Sequence, residues 1–174
     1  MTSRLRRAGR GGAVDGSSIV WSIAEGARGR RWREMRRDAD GTLISSLLLE
    51  TDPHDRFAHI ELSTPAGLLT LHPEGDGTLH GNVVSDAGVR HIAGLWWRPD
   101  SVLLLDGSPT SAAAAARSIA VSRSARVGIV RIALDLTIEE RDADVAGSGI
   151  AAARIDDDGV PALGDAASWP LEET

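Results

Sequence analysis

The side chains best equipped for chemistry in this chain are its histidines. His72 and His80 bracket the stretch "HPEGDGTLH", and His59 and His91 sit in neighbouring strand-like runs. A zinc ion needs three or four ligands, with nitrogens about 2.0–2.1 Å away, so at least three side chains must converge. The spacing brings two of them together under one condition. If "GDG" (75–77) is a three-residue hairpin loop with a left-handed glycine, Glu74 faces Thr78 and Pro73 faces Leu79. His72 then faces His80 across the ladder, with Cβ atoms within about 5.5 Å. A loop changed by one residue pairs His72 with Leu79 and sends the histidines to opposite faces. Neither HExxH nor a tight His-x-His spacing is present. Cross-strand or backbone hydrogen bonding is therefore the leading reading of these histidines, and no metal or other cofactor is assigned.

Other catalytic chemistry is constrained by what the chain lacks. There is no cysteine, and all nineteen basic residues are arginine. Disulfides, thiolate nucleophiles, cysteine-based metal sites and lysine Schiff bases are thereby excluded. The GxSxG motif is absent. Ser108 with His91 and Asp106 stays open as a triad, because triads are recognised by geometry and not by order. Ser108 is, however, already accounted for as a helix cap. No catalytic residue is assigned, and the chain reads as a binding protein before an enzyme. A histidine- or metal-dependent enzyme and a structural or dimer-forming β module are the alternatives.

Net charge is −6, with ten arginines against three acids in residues 1–37 and about −13 over the remainder. Such an acidic body argues against nucleic acid, whose binding relies on neutralised phosphates. No apolar run approaches 18 residues, and no apolar segment follows the basic start, so neither a spanning helix nor a signal peptide is expected. The cytoplasm is the default compartment.

The elements that must position these side chains are read from periodicity. Residues 1–16, rich in Arg and Gly, are expected to be a disordered basic arm, and 17–174 a single β-rich domain. From residue 17 the pattern has period two. "SIVWSIA", "RWREMRR", "TLISSLLLE", "RFAHIELST", "GLLTLH" and "TLHGNVV" are strands separated by turns such as "DADG", "DPHD" and "PAG", the signature of an antiparallel meander; "TLISSLLLE" departs from the alternation, being apolar on both faces as a strand covered on both sides would be. "VRHIAGLWW" and "SVLLLDG" follow. "SPTSAAAAARSIA" then places Ser108 as an N-cap and Pro109 at the first helical position, predicting one helix over about 108–120 with an alanine profile narrow enough to lie close on a sheet. "RVGIVRIALDLTIEER" alternates Val130, Ile132, Leu134, Leu136 and Ile138 on one face, which predicts one strand about 45 Å long. The tail from about 147 carries a "DDDG" turn and "SWPLEE" as an edge plug. The fold class is mainly β: an antiparallel, strongly curved sheet or half-open barrel with one short helix.

The order of parts from "LLTLHPEGDGTLHGNVV" through "GVRHI" and the Trp-rich strand to "GSP", with the late "VGIVRIALDLTIEE", resembles the glycolipid-binding family of bacterial domains over residues 17–145. The resemblance implies an antiparallel sheet curled into an open barrel around a short helix, with an apolar groove for an acyl or prenyl chain. The residues themselves add detail. Adjacent Trp96 and Trp97 point to opposite faces of one strand, so one serves the inside and the other an outer face or a homodimer contact. His80 and Asn82 share a face, while Gly81 leaves the other face bare, as where a backbone or ligand approaches closely. The expected partner is an apolar or amphipathic small molecule in the concave face. Trp96 or Trp97 with Val130, Ile132 and Leu134 would line it, and His80, Asn82 and His91 would stand at its polar mouth.

Overall fold

The computed structural model describes residues 5–12, 15–147, 150, 155–156, 159 and 171–173. Eight strands succeed one another along the chain: β1 (Arg6–Gly12), β2 (Ser18–Gly26), β3 (Gly29–Arg37), β4 (Leu43–Thr51), β5 (Phe57–Thr64), β6 (Gly67–Pro73), β7 (Thr78–Ser85) and β8 (Gly88–Trp96). Each pairs antiparallel with the next. After β9 (Val102–Leu105) come helix α1 (Pro109–Ser122), β10 (Arg126–Ile132), β11 (Ile138–Asp144) and, further on, β12 (Leu171–Glu173). The large sheet runs β12-β1-β2-β3-β4-β5-β6-β7-β8; the small one runs β11-β10-β9, with β9 and β10 parallel. Among the described residues this is the antiparallel, unclosed sheet with one short α-helix that the periodicity predicts.

Four of the turns have a common cause. Asp38 Oδ1 accepts from the Asp40 and Thr42 N–H groups, and Asp52 Oδ1 from those of His54 and Arg56. Asp76 and Asp135 do the same for Thr78 and Thr137, taking both N–H and hydroxyl. An aspartate that binds the backbone two residues on closes a turn without help from tertiary contacts. That is why "DADG", "DPHD" and "GDG" are visible in the sequence.

Two expectations are corrected. Residues 6–12 belong to no disordered arm: they form β1, with Gly9 opposite Trp21 on one side and Glu173 on the other. Arg–Gly alternation carries no apolar signal, so a strand held mainly by backbone pairing is invisible to hydrophobic periodicity. The single long strand after residue 126 is likewise a hairpin, β10–β11. Leu136 adopts a left-handed φ of 65° and donates its N–H to Ala133 O, while the Ala133 N–H donates to Thr137 O. The Asp135 turn reverses the chain within an unbroken apolar alternation. Of the tail, Leu171–Glu173 pairs with the edge of β1 as the plug reading has it, and the Gly159 N–H reaches Asp156 O within "DDDG". Trp169 lies outside the described residues.

The concavity of the large sheet is occupied by protein. Inward side chains of β2–β8, among them Trp21, Trp32, Ile60, Leu69 and Leu79, form one buried cluster with Leu103, Leu105, Val130, Ile132 and helix residues Ala113 and Ala114. The opposite face of the small sheet, Val102, Val127 and Ile129, packs with Ala115 and Ile150. Alanine lets α1 approach both layers closely, because a methyl group keeps the interaxial distance short.

Candidate functional site

The helix start is built around a buried carboxylate. Glu34 stands opposite Trp21 on the inner face of the large sheet and is 3 % exposed. Its Oε2 accepts from Ser108 Oγ at 2.9 Å and from the Thr110 N–H at 3.1 Å, while Ser108 Oγ in turn accepts from the Ser111 N–H. A carboxylate at a helix N-terminus satisfies first-turn donors and meets the positive end of the dipole. Burial nevertheless raises the Glu34 carboxyl above its ordinary value, a shift only partly offset by the Thr110 and Ser108 hydrogen bonds and by Arg36. Among the described residues, its other oxygen, Oε1, and the indole nitrogens of Trp21 and Trp32 have no hydrogen-bond partner. Ser108 is thus committed to capping and to Glu34, and Asp106 to a salt bridge with Arg131. This leaves no triad with His91, which lies exposed on β8 opposite Asn82.

A second arrangement lies where the large sheet fails to close. Strand β8, the last of the large sheet, and β11, the outer strand of the small one, are bridged by side chains. The Trp96 N–H donates to Glu140 Oε1 at 2.6 Å, Arg98 Nη2 to Asp142 Oδ1 at 2.6 Å and Arg90 Nη2 to Leu136 O at 3.5 Å. The hydrogen bond and charge of Arg98 hold the Asp142 carboxyl below its usual range. Along this seam runs a groove of about 380 Å³, walled by Trp96, Arg98, Val130, Glu140, Arg141 and Asp142. Gly128 keeps it open at its floor, since a Cβ there would stand 2.7 Å from Ser101 Oγ. Trp96 is 73 % exposed. Arg141 carries no ion pair among the described residues.

The third arrangement is the outer face of the large sheet. The loop after β6 has the length that brings the histidines together: His72 is the direct partner of His80, with Pro73 opposite Leu79. The Glu74 N–H donates to Thr78 O and Gly77 takes a φ of 81°. His59 stands one step beyond the Ile60–Leu71 pair, beside His72. His59 Nε2 lies 3.2 Å from Glu61 Oε1 and His72 Nε2 2.9 Å from Glu74 Oε1. Among the described residues, no three His, Asp or Glu side chains are gathered around one point. The bare face of Gly81 is explained by the neighbouring strand: a Cβ there would stand 1.8 Å from Thr70 O.

The structure therefore divides the predicted ligand set among three places. Trp96 lines the seam groove, which Val130 borders while its buried side chain belongs to the core cluster. Ile132, fully buried, and half-buried Leu134 belong to the core cluster, as does Trp97, whose ring meets Phe57 edge-on at 5.1 Å. His80, Asn82 and His91 lie on the outer face, because β7 turns Leu79 and Val83 inward and its alternate residues outward. Sequence reasoning missed Arg98, Glu140, Arg141 and Asp142, since the seam that gathers them joins segments some 44 residues apart. It also left Glu34 unmarked, although a lone acid at an inward position between Trp32 and Arg36 was a readable signal. No protein-family model, curated protein or solved structure matches the chain.

Proposed function

We propose that the chain is a non-catalytic binding module for an amphipathic small molecule with a polyhydroxylated head group, taken in the seam groove between β8 and β11. The concave face first expected to hold such a ligand is filled by β9, β10 and α1, which moves the reading to the seam. The observation that carries it is the exposed indole of Trp96 beside two guanidinium groups and two carboxylates in charge balance. Tryptophan presents a broad apolar surface to the C–H face of a sugar ring or the first carbons of a chain. Arg98 and Arg141 supply donors and Glu140 and Asp142 acceptors, a mixture suited to neutral hydroxyls, whereas a bare anion would meet the carboxylates. The placement is the usual one for ligand sites, concave and with few convergent polar groups.

Calorimetric titration with octyl glucoside below its micelle concentration tests the reading, with octanoate as the headless comparison. Saturable glucoside binding that is lost in W96A and weakened at least tenfold in R141A, with unchanged circular dichroism, supports it. No saturable binding, or octanoate bound as tightly as the glucoside, refutes it.

A further inference from the structure

The outer-face histidines lie apart from the seam groove. We propose that His72 and His80 together bind one divalent late transition-metal ion, such as Zn(II) or Cu(II), clipping β6 to β7 at their hairpin end. Three observations support this. The two residues are direct partners in the ladder, so their Cβ atoms lie about 4.5–5.5 Å apart, and two imidazole nitrogens on one tetrahedral metal need a separation of roughly 3.3 Å. Rotation of an exposed ring about χ1 and χ2 covers that difference without moving the backbone, and His72 is exposed.

The second observation is the partner of His72. A carboxylate only accepts hydrogen bonds, so the contact between His72 Nε2 and Glu74 Oε1 puts the proton of the neutral ring on Nε2 and leaves the Nδ1 lone pair free. Metal-bound histidines generally donate their second N–H to a carboxylate, which fixes the tautomer and raises the basicity of the ligating nitrogen. Glu74 already stands in that position.

The third is the neighbourhood. His59 flanks His72 with its own carboxylate, Glu61, in the same relation, and Asp76 closes the hairpin beyond His80. Imidazole ligands favour zinc, copper and nickel over magnesium or calcium. With two protein nitrogens the site is an open surface clip and not a structural or catalytic zinc centre, for which at least three side chains must converge, and the remaining coordination positions take water.

The test uses untagged, chelator-treated full-length protein titrated with zinc sulfate and, separately, copper sulfate. It is followed by calorimetry and by histidine side-chain NMR. Expected are one ion per chain, shifts confined to His72, His80 and their neighbours, and affinity lost at least tenfold in H72A and in H80A but unchanged within twofold in H91A. E74Q should weaken binding by about tenfold. All substitutions are at surface positions, and circular dichroism verifies the fold. Absence of binding at millimolar metal, or binding that survives in the H72A/H80A double variant, overturns the proposal.

Discussion

Replacing Glu34 by alanine and by glutamine separates the two roles of its carboxylate. In E34A the Ser108 hydroxyl and the Thr110 N–H lose their acceptor inside the protein, at 2.9 and 3.1 Å in the wild type. Each buried donor left unsatisfied costs about 1–3 kcal/mol, so E34A should lose roughly 2–6 kcal/mol, a large part of a total that for domains is about 5–15. Glutamine keeps an oxygen for both donors and removes the buried charge. The pH dependence follows from linkage. The folded-state carboxyl titrates above its ordinary value of 4.5, so between 4.5 and the raised value the folded state holds a proton that the unfolded state has released. Stability from this group is therefore greatest below 4.5, falls as pH rises through that window and is level above it. Urea denaturation of wild type and E34Q from pH 4 to 8 isolates the effect as a difference. Wild type should weaken relative to E34Q with rising pH, and E34Q should match or exceed it at pH 7. If E34Q is as destabilised as E34A throughout, the charge itself stabilises the helix start and the reasoning about burial fails.

Three further outcomes are expected. S108A should cost about 1–2 kcal/mol by urea denaturation through loss of the N-cap, and its effect should fall well short of additive with E34A, since both remove one network. W32A, at a side chain with 0 % exposure in the main core, should lose about 3–5 kcal/mol in the same assay. G81A places a Cβ 1.8 Å from a backbone oxygen of β6, so amide hydrogen exchange should accelerate along β6 and β7 while α1 keeps its protection; uniform protection in both would contradict the close approach.

Much of the fold was legible because its signals are local. Alternation marks most of β2 to β8, aspartates mark three of the turns between them, and Ser108–Pro109 marks the helix start, whereas β4, read as covered on both faces, is buried on one face and half-buried on the other. The same local reading failed where pairing or a single backbone torsion decided the outcome. β1 has no apolar stripe, and the left-handed Leu136 folds an alternation that reads as one strand into two. The candidate sites were less legible. Trp96 and Trp97 were correctly set on opposite faces, but the residues around Trp96 come from β11, whose neighbourhood to β8 no motif announces.

The sequence by itself determined the class of fold, the excluded chemistries and the condition on which the two histidines meet, since alternation, composition and loop length are properties of neighbouring residues. Only the tertiary structure decided that the concavity is filled and that an unclosed seam supplies a groove. It also showed a glutamate from β3 capping α1, 76 residues further along the chain. These depend on which distant strands come to lie side by side, and backbone pairing and burial settle that without leaving a periodic trace.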